Sequence, residues 1–185
     1  MSVKIIVDST ADMRPEVAEK VGIVPLTVHF RDQEYISGVN INPKKFYEML
    51  VESDELPTTS QPTPVAFEEA FGKAVEAGYE VVCLTCSGKL SGTCQSAVIA
   101  AADYPGRIFV VDSENVTIGE RILVQLGLVL RNQGLSAREI AARLDEEKKN
   151  IRLLALLDTL DFTHCISGHS DIKTREGQYR SLLEG

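Results

Sequence analysis

Three short runs of hydroxyl side chains could do chemistry in this 185-residue sequence: Ser9-Thr10, Thr58-Thr59-Ser60 and Ser91-Gly92-Thr93. Neutral hydroxyls beside a helix N-terminus, with a glycine allowing close approach, can hold an anion through O–H and free N–H donors. Ser91-Gly92-Thr93 fits that description, and the same residues could equally cap the helix that follows them. The surrounding string is not a phosphate loop, because the positions that need glycine and a hydroxyl hold Cys83 and Leu90. Nor is Ser91 a nucleophile elbow, since Lys89 and Thr93 stand where glycines are required. With Lys89 as the loop's one cation, a singly charged carboxylate is the expected anion.

Asp8, Asp12 and Asp112 are the carboxylates that could pair for acid–base hydrolysis. Asp8 and Asp112 each close an apolar run, a place where an aspartate commonly accepts backbone amides of the following turn. Cys83 and Cys86 form a CxxC, but in a strand residues three apart face opposite sides. Neither Cys94, Cys165, His164 nor His169 adds zinc-site spacing. Buried, reduced thiols and no metal site are therefore expected. His29, His164 and His169 are scattered and give no support to a Ser-His-Asp triad.

These groups must be positioned by regular elements. The run Val3–Val7 reads as a fully buried strand opening into Asp8-Ser9-Thr10. A helix is expected from about Pro15 to Gly22, then a strand over Ile23–Phe30 pushed toward a sheet edge by Pro25. Arg31-Asp32-Gln33-Glu34 reads as a hairpin turn, and Asn42-Pro43 opens a helix. The stretch Leu56–Pro64 is expected to be a rigid loop, its prolines fixing φ. Further helices are expected over Pro64–Ala77, Cys94–Ala102, Thr117–Asn132 and Ala137–Lys149, the last with a Ser136/Glu139 capping box. Strands are expected at Tyr79–Cys86, Arg107–Asp112 and Ile151–Leu157. Strands alternating with helices predict an α/β fold, a three-layer Rossmann-like domain with a mainly parallel sheet. Ligands of such sheets sit at the carboxyl ends of the strands, where the hydroxyl-bearing loops lie.

Nineteen Lys and Arg against 27 Asp and Glu give a net charge of −8, without the basic footprint of a nucleic-acid binder. The brief apolar run at the N-terminus is too short for a secretory signal, and no stretch approaches the length of an integral membrane segment, so a cytoplasmic location is expected.

The motifs Ile6-Val7-Asp8-Ser9-Thr10-Ala11-Asp12, Pro25-Leu26, Thr59-Ser60-Gln61-Pro62, Leu90-Ser91-Gly92-Thr93 with Gln95-Ser96-Ala97, and Val111-Asp112-Ser113 resemble, in order and spacing, the DegV family. The resemblance covers roughly residues 3 to 160. It implies a non-catalytic carrier, without cofactors, that holds a long-chain fatty acid such as palmitate and presents its carboxylate to a separate ATP-dependent fatty acid kinase subunit. It places the carboxylate ligands on Thr59 and Ser91, with Ser60, Gly92, Thr93, Ser9 and Thr10 in support. Cys94 stands where the family usually has tyrosine. Residues 1–160 are thus expected to form the family's first domain, with a hairpin or edge excursion at about 23–42. Residues 161–185 read as a divergent remnant of a second domain, which normally closes over the acyl chain. An uncovered apolar groove would favour self-association, and the alternative reading is a truncated or diverged copy acting as an interaction or assembly protein without lipid.

Overall fold

The computed structural model describes residues 2–53 and 55–154. The first strand, β1 (Val3–Asp8), lies inside a four-stranded parallel sheet with β2 (Gly22–Val24), β6 (Glu80–Thr85) and β7 (Ile108–Asp112), in the order β2-β1-β6-β7. The central strands are apolar on both faces because both faces are covered. Val3, Ile5, Val7, Val82, Leu84 and Val111 pack under α5 (Ile118–Asn132) and α6 (Ala137–Glu147). Ile6, Val24, Val81, Cys83 and Ile108 pack under α3 (Pro64–Glu76) and α4 (Thr93–Ala101). This is an α/β fold of three layers with a parallel sheet.

The helices start where local chemistry starts them. Thr63 accepts from Ala66 N ahead of Pro64, Asn42 does the same for Lys45 N ahead of α2 (Pro43–Val51), and Ser136 with Glu139 closes a full capping box. The expected helix after Pro15 is short, α1 (Pro15–Ala18).

Three differences from the sequence reading bear on the site. The run expected as one strand over Ile23–Phe30 is two, β2 in the parallel sheet and β3 (Thr27–Phe30) in a second, antiparallel sheet, parted at Pro25-Leu26. Proline has no N–H for the ladder, so the chain leaves the first sheet there. Thr58–Ser60, expected as loop, forms strand β5, pairing antiparallel with β3 on the side opposite β4 (Gln33–Ile36). The flanking prolines hid it, while β-branched Thr58 and Thr59 suit a strand. Finally, Ile151–Leu154 carry no ladder where a strand was expected. The rest of that segment and the tail from 161, with Cys165, His164 and His169, lie outside the described residues.

Candidate functional site

The carboxyl ends of β1, β6 and β7 meet at one edge and are tied by backbone amides to two aspartates. Asp8, fully buried, accepts from Thr10 N at 2.8 Å and from the Thr10 hydroxyl through Oδ1, and from Cys86 N at 2.7 Å through Oδ2. Asp112 accepts from Gly88 N at 3.1 Å and Glu114 N at 2.8 Å. Asp12 is exposed, with Arg121 Nη1 3.9 Å away. Asp8 and Asp112 are therefore turn acceptors that shape the loops, which is the amide-accepting role open to them from sequence.

Ser91 precedes α4, its Oγ 2.8 Å from Thr93 Oγ1 and accepting from Thr93 N at 3.3 Å. The N-cap position is Gly92, without a side-chain bond of its own, and Ser91 Oγ takes the first amide of the helix from one residue further out. Thr93 is fully buried, its hydroxyl turned to Ser91. Gln61, next along from β5, donates from Nε2 to Ser96 Oγ at 3.2 Å on α4, and a Cβ at Gly92 would lie 2.2 Å from its Oε1. Glycine at position 92 leaves room for the Gln61 amide to reach Ser96, the nearest atoms a Cβ would crowd there being the end of that flexible side chain. Gly92→Ala is expected to push the flexible Gln61 amide off Ser96 at a stability cost of about 1 kcal/mol, read by thermal unfolding. A loss of several kcal/mol instead would show the backbone, and not Gln61, giving way.

On the other side of β5, Thr59 lines a cavity of about 490 Å³ between the two sheets, with Asp8, Ser9, Met13, Val28 and Phe46 among its walls. Its size falls within the roughly 300–1,000 Å³ of small-ligand pockets. The Ser9 hydroxyl accepts from Leu26 N at 3.0 Å, and Ser60 Oγ lies 2.7 Å from His29 Nε2, whose Nδ1 faces Glu34 at 3.4 Å. The structure thus brings Thr59 and Ser9 to one cavity. Ser91, Gly92 and Thr93 stand on the neighbouring loop, joined to β5 through Gln61.

Sequence reasoning missed Glu120. It is completely buried in the first turn of α5, with Oε2 2.8 Å from Thr10 Oγ1. Burial and then the charge of Asp8 push its carboxyl up to about 9. A signal existed: Glu120 shares the helical spacing of Leu123, Val124 and Gly127, an acid on an otherwise core-facing stripe. Burial likewise pushes the Cys86 thiol up to about 12 and Cys83 well above its usual range, so both are inert thiols. Among the described residues no group of three or more His, Cys, Asp or Glu is placed to hold a metal, and no helix is long and apolar enough to cross a membrane.

Residues 2–164 match a family described as uncharacterised proteins of the DegV type. A DegV domain-containing protein of Deinococcus radiodurans is 38% identical over 164 residues, 88% of this chain and 58% of its own length. One from Clostridium acetobutylicum is 35% identical over 162 residues, 86% and 58% respectively. The chain therefore spans a little over half the length of these relatives. Two solved structures are similar. A fatty-acid-binding DegV family protein from Thermus thermophilus has TM-score 0.74 at 34% identity, over 80% of this chain and 54% of that one. A stearic acid-binding protein from Eubacterium ventriosum has TM-score 0.71 at 35% identity, over 78% and 52%.

Proposed function

Because the chain belongs to the DegV family, we propose that it binds a long-chain fatty acid without catalysis of its own, the carboxylate held by the hydroxyls of Thr59 and Ser91. Ser60, Thr93, Ser9, Thr10 and the open backbone at Gly92 support them. The single observation that carries this reading is the cavity of about 490 Å³ whose wall holds Thr59 and Ser9 at the carboxyl edge of the sheet. Neutral hydroxyls suit a carboxylate in a protein of net charge −8, because they add no charge to desolvate. That the solved relatives bind fatty acids, stearic acid in one case, supports the same ligand class here. Presentation of the bound carboxylate to an ATP-dependent kinase subunit, in the cytoplasm, completes the proposal.

Purified protein is expected to release a fatty acid of about C14–C18 on denaturing extraction and to rebind palmitate. Ser91→Ala is expected to weaken palmitate binding about tenfold or more, the range for a hydrogen bond to a charged acceptor, and to lower stability by about 1 kcal/mol as the buried Thr93 loses Ser91 Oγ. Wild-type affinity in the variant would remove Ser91 from the site, and absence of any acid binding would overturn the reading.

A second reading, self-association as an assembly protein, is favoured by one specific feature. Ile118, Ile122 and Val129 form an exposed apolar stripe along α5, each about half accessible, and such patches mark interaction surfaces. A lipid-free, concentration-independent dimer in light scattering would support it over the carrier.

A further inference from the structure

A cavity of about 590 Å³ lies between β2 and α3, larger than the one that holds Thr59 and sharing Ile23 with it as a wall. It exists because the groups that face each other there are small. β2 is a short edge strand that offers Gly22, and α3 meets it with Ala66, Ala70 and Ala74. Ile6 and Val24 close the floor, so the space is apolar through most of its length. From Ala66 to Ala77 the helix rises about 16 Å. The volume is that of a small-ligand pocket.

Its charge is gathered at one end. Lys4 pairs with Val81 near the start of β6, close to Tyr79, and Lys73 stands in the last turn of α3. The far end is Val24, which pairs with Asp8 at the carboxyl end of β1, together with Pro25 and Ala66. Lys4 is half-buried and its stem runs along β2: a Cβ added at Gly22 would stand 3.7 Å from its Cε. A lysine laid down in this way buries its methylenes and leaves the ammonium at the mouth. Among the described residues Glu69 is the one acid in the wall, and neither lysine is ion-paired. This end therefore carries an excess of positive charge in a protein whose net charge is −8.

A cavity with a cationic mouth and an apolar length complements an anion that has an apolar body. It does not suit a membrane surface, which is met by bulky apolar side chains on a projecting face, whereas here the helix presents alanines to a hollow. We propose that the cavity between β2 and α3 is a second site for a single-chain anionic amphiphile, a free fatty acid, with its carboxylate at Lys4 and Lys73 and its chain along α3 toward Pro25. The ligand class rests on the reading of the first site, but the residues that hold it are different.

NMR of palmitate labelled with carbon-13 at the carboxyl reports each bound head group as its own signal. Wild type is expected to show one signal from the hydroxyl site and one from the lysine site. Lys4→Met combined with Lys73→Met is expected to weaken the second about tenfold, as for contacts to a charged group, and to leave the first unchanged. Ser91→Ala should do the reverse. Ala70→Phe fills the cavity while keeping both cations, and should remove the same signal as the lysine variant. A single signal that Ser91→Ala weakens and the lysine variant leaves alone overturns the second site and keeps the hydroxyl site standing. A single signal with the opposite response supports the lysine site and overturns the hydroxyl site. A second signal indifferent to the lysine variant overturns the assignment of its head group. Cosedimentation with phosphatidylglycerol vesicles that the lysine variant abolishes, with no second palmitate signal, would place the lysines on a membrane surface and overturn the proposal. No bound palmitate at all overturns both sites.

Discussion

Asp8→Ala is expected to lower the free energy of unfolding by about 4 kcal/mol at pH 6, because a fully buried acceptor of three hydrogen bonds is removed at once. The Cys86 amide is buried and has its acceptor on Asp8 alone among the described residues, so it is left without a partner. The Thr10 amide and hydroxyl lose theirs as well. A hydrogen bond to a charged group contributes about 1.5–3 kcal/mol, and water reaching the vacated space offsets part of that sum. One effect opposes the loss: the charge of Asp8 raises the carboxyl of Glu120, so its removal relieves a repulsion. At pH 6 Glu120 is protonated and the relief is small, which makes that pH the place to measure. Asp8→Asn keeps one carbonyl oxygen for the Cys86 amide and is expected to lose about half as much. Urea unfolding that shows less than about 1 kcal/mol for Asp8→Ala would mean that the ends of β1 and β6 are held by the ladder between Val3–Val7 and Glu80–Leu84 alone.

What could be read from the sequence here was whatever is decided within a few residues. Asn42, Thr63 and Ser136 announce their helices because a cap bonds an amide three positions on. The apolar runs Ile5–Val7 of β1 and Val81–Leu84 of β6 announce a doubly covered sheet, because both of their faces must be filled. Thr58–Ser60 was illegible as a strand for the converse reason. Nothing within the segment pairs it, and its ladder comes from Thr27–His29, some thirty positions earlier. The hydroxyl loops were legible as a group, since strand ends in a parallel sheet share an edge. Their division of labour was not. Thr59 opens onto the cavity, Ser60 is engaged with His29, and Thr93 is buried behind Ser91. Those assignments depend on side-chain directions that spacing does not carry. Glu120 lies between these cases, marked by its helical spacing but given meaning only by Asp8 and Thr10 from the far end of the chain.

The pH dependence of stability should carry the signature of that acid. In the unfolded chain Glu120 releases its proton near 4.5, and in the folded protein burial and Asp8 hold it to about 9. Between those limits the folded state binds a proton that the unfolded state has lost. Stability from this group is therefore full below pH 4.5, falls as pH rises, and levels off above about 9. Each step of one pH value inside the window costs about 1.4 kcal/mol, so wild type is expected to lose about 3 kcal/mol between pH 5 and pH 7 through Glu120. Glutamine cannot ionise, so Glu120→Gln should be nearly flat over the same range, and the gap between the two proteins should widen with pH. The exposed carboxyls of Glu114, Glu139 and Asp145, held below their usual values by Lys148 or by the Ser136 cap, act with the opposite sign but in more acid solution. They shape the profile below the Glu120 window and cancel in the comparison. Urea midpoints of the two proteins at pH 5, 6, 7 and 8 decide it: parallel profiles would mean that Glu120 is ionised in the folded state. Adding Asp8→Asn to both should then shorten the window from its alkaline end, so that the loss levels off at a lower pH, because part of what keeps the proton on Glu120 is gone. A levelling-off pH unmoved by that substitution would leave desolvation alone as the cause.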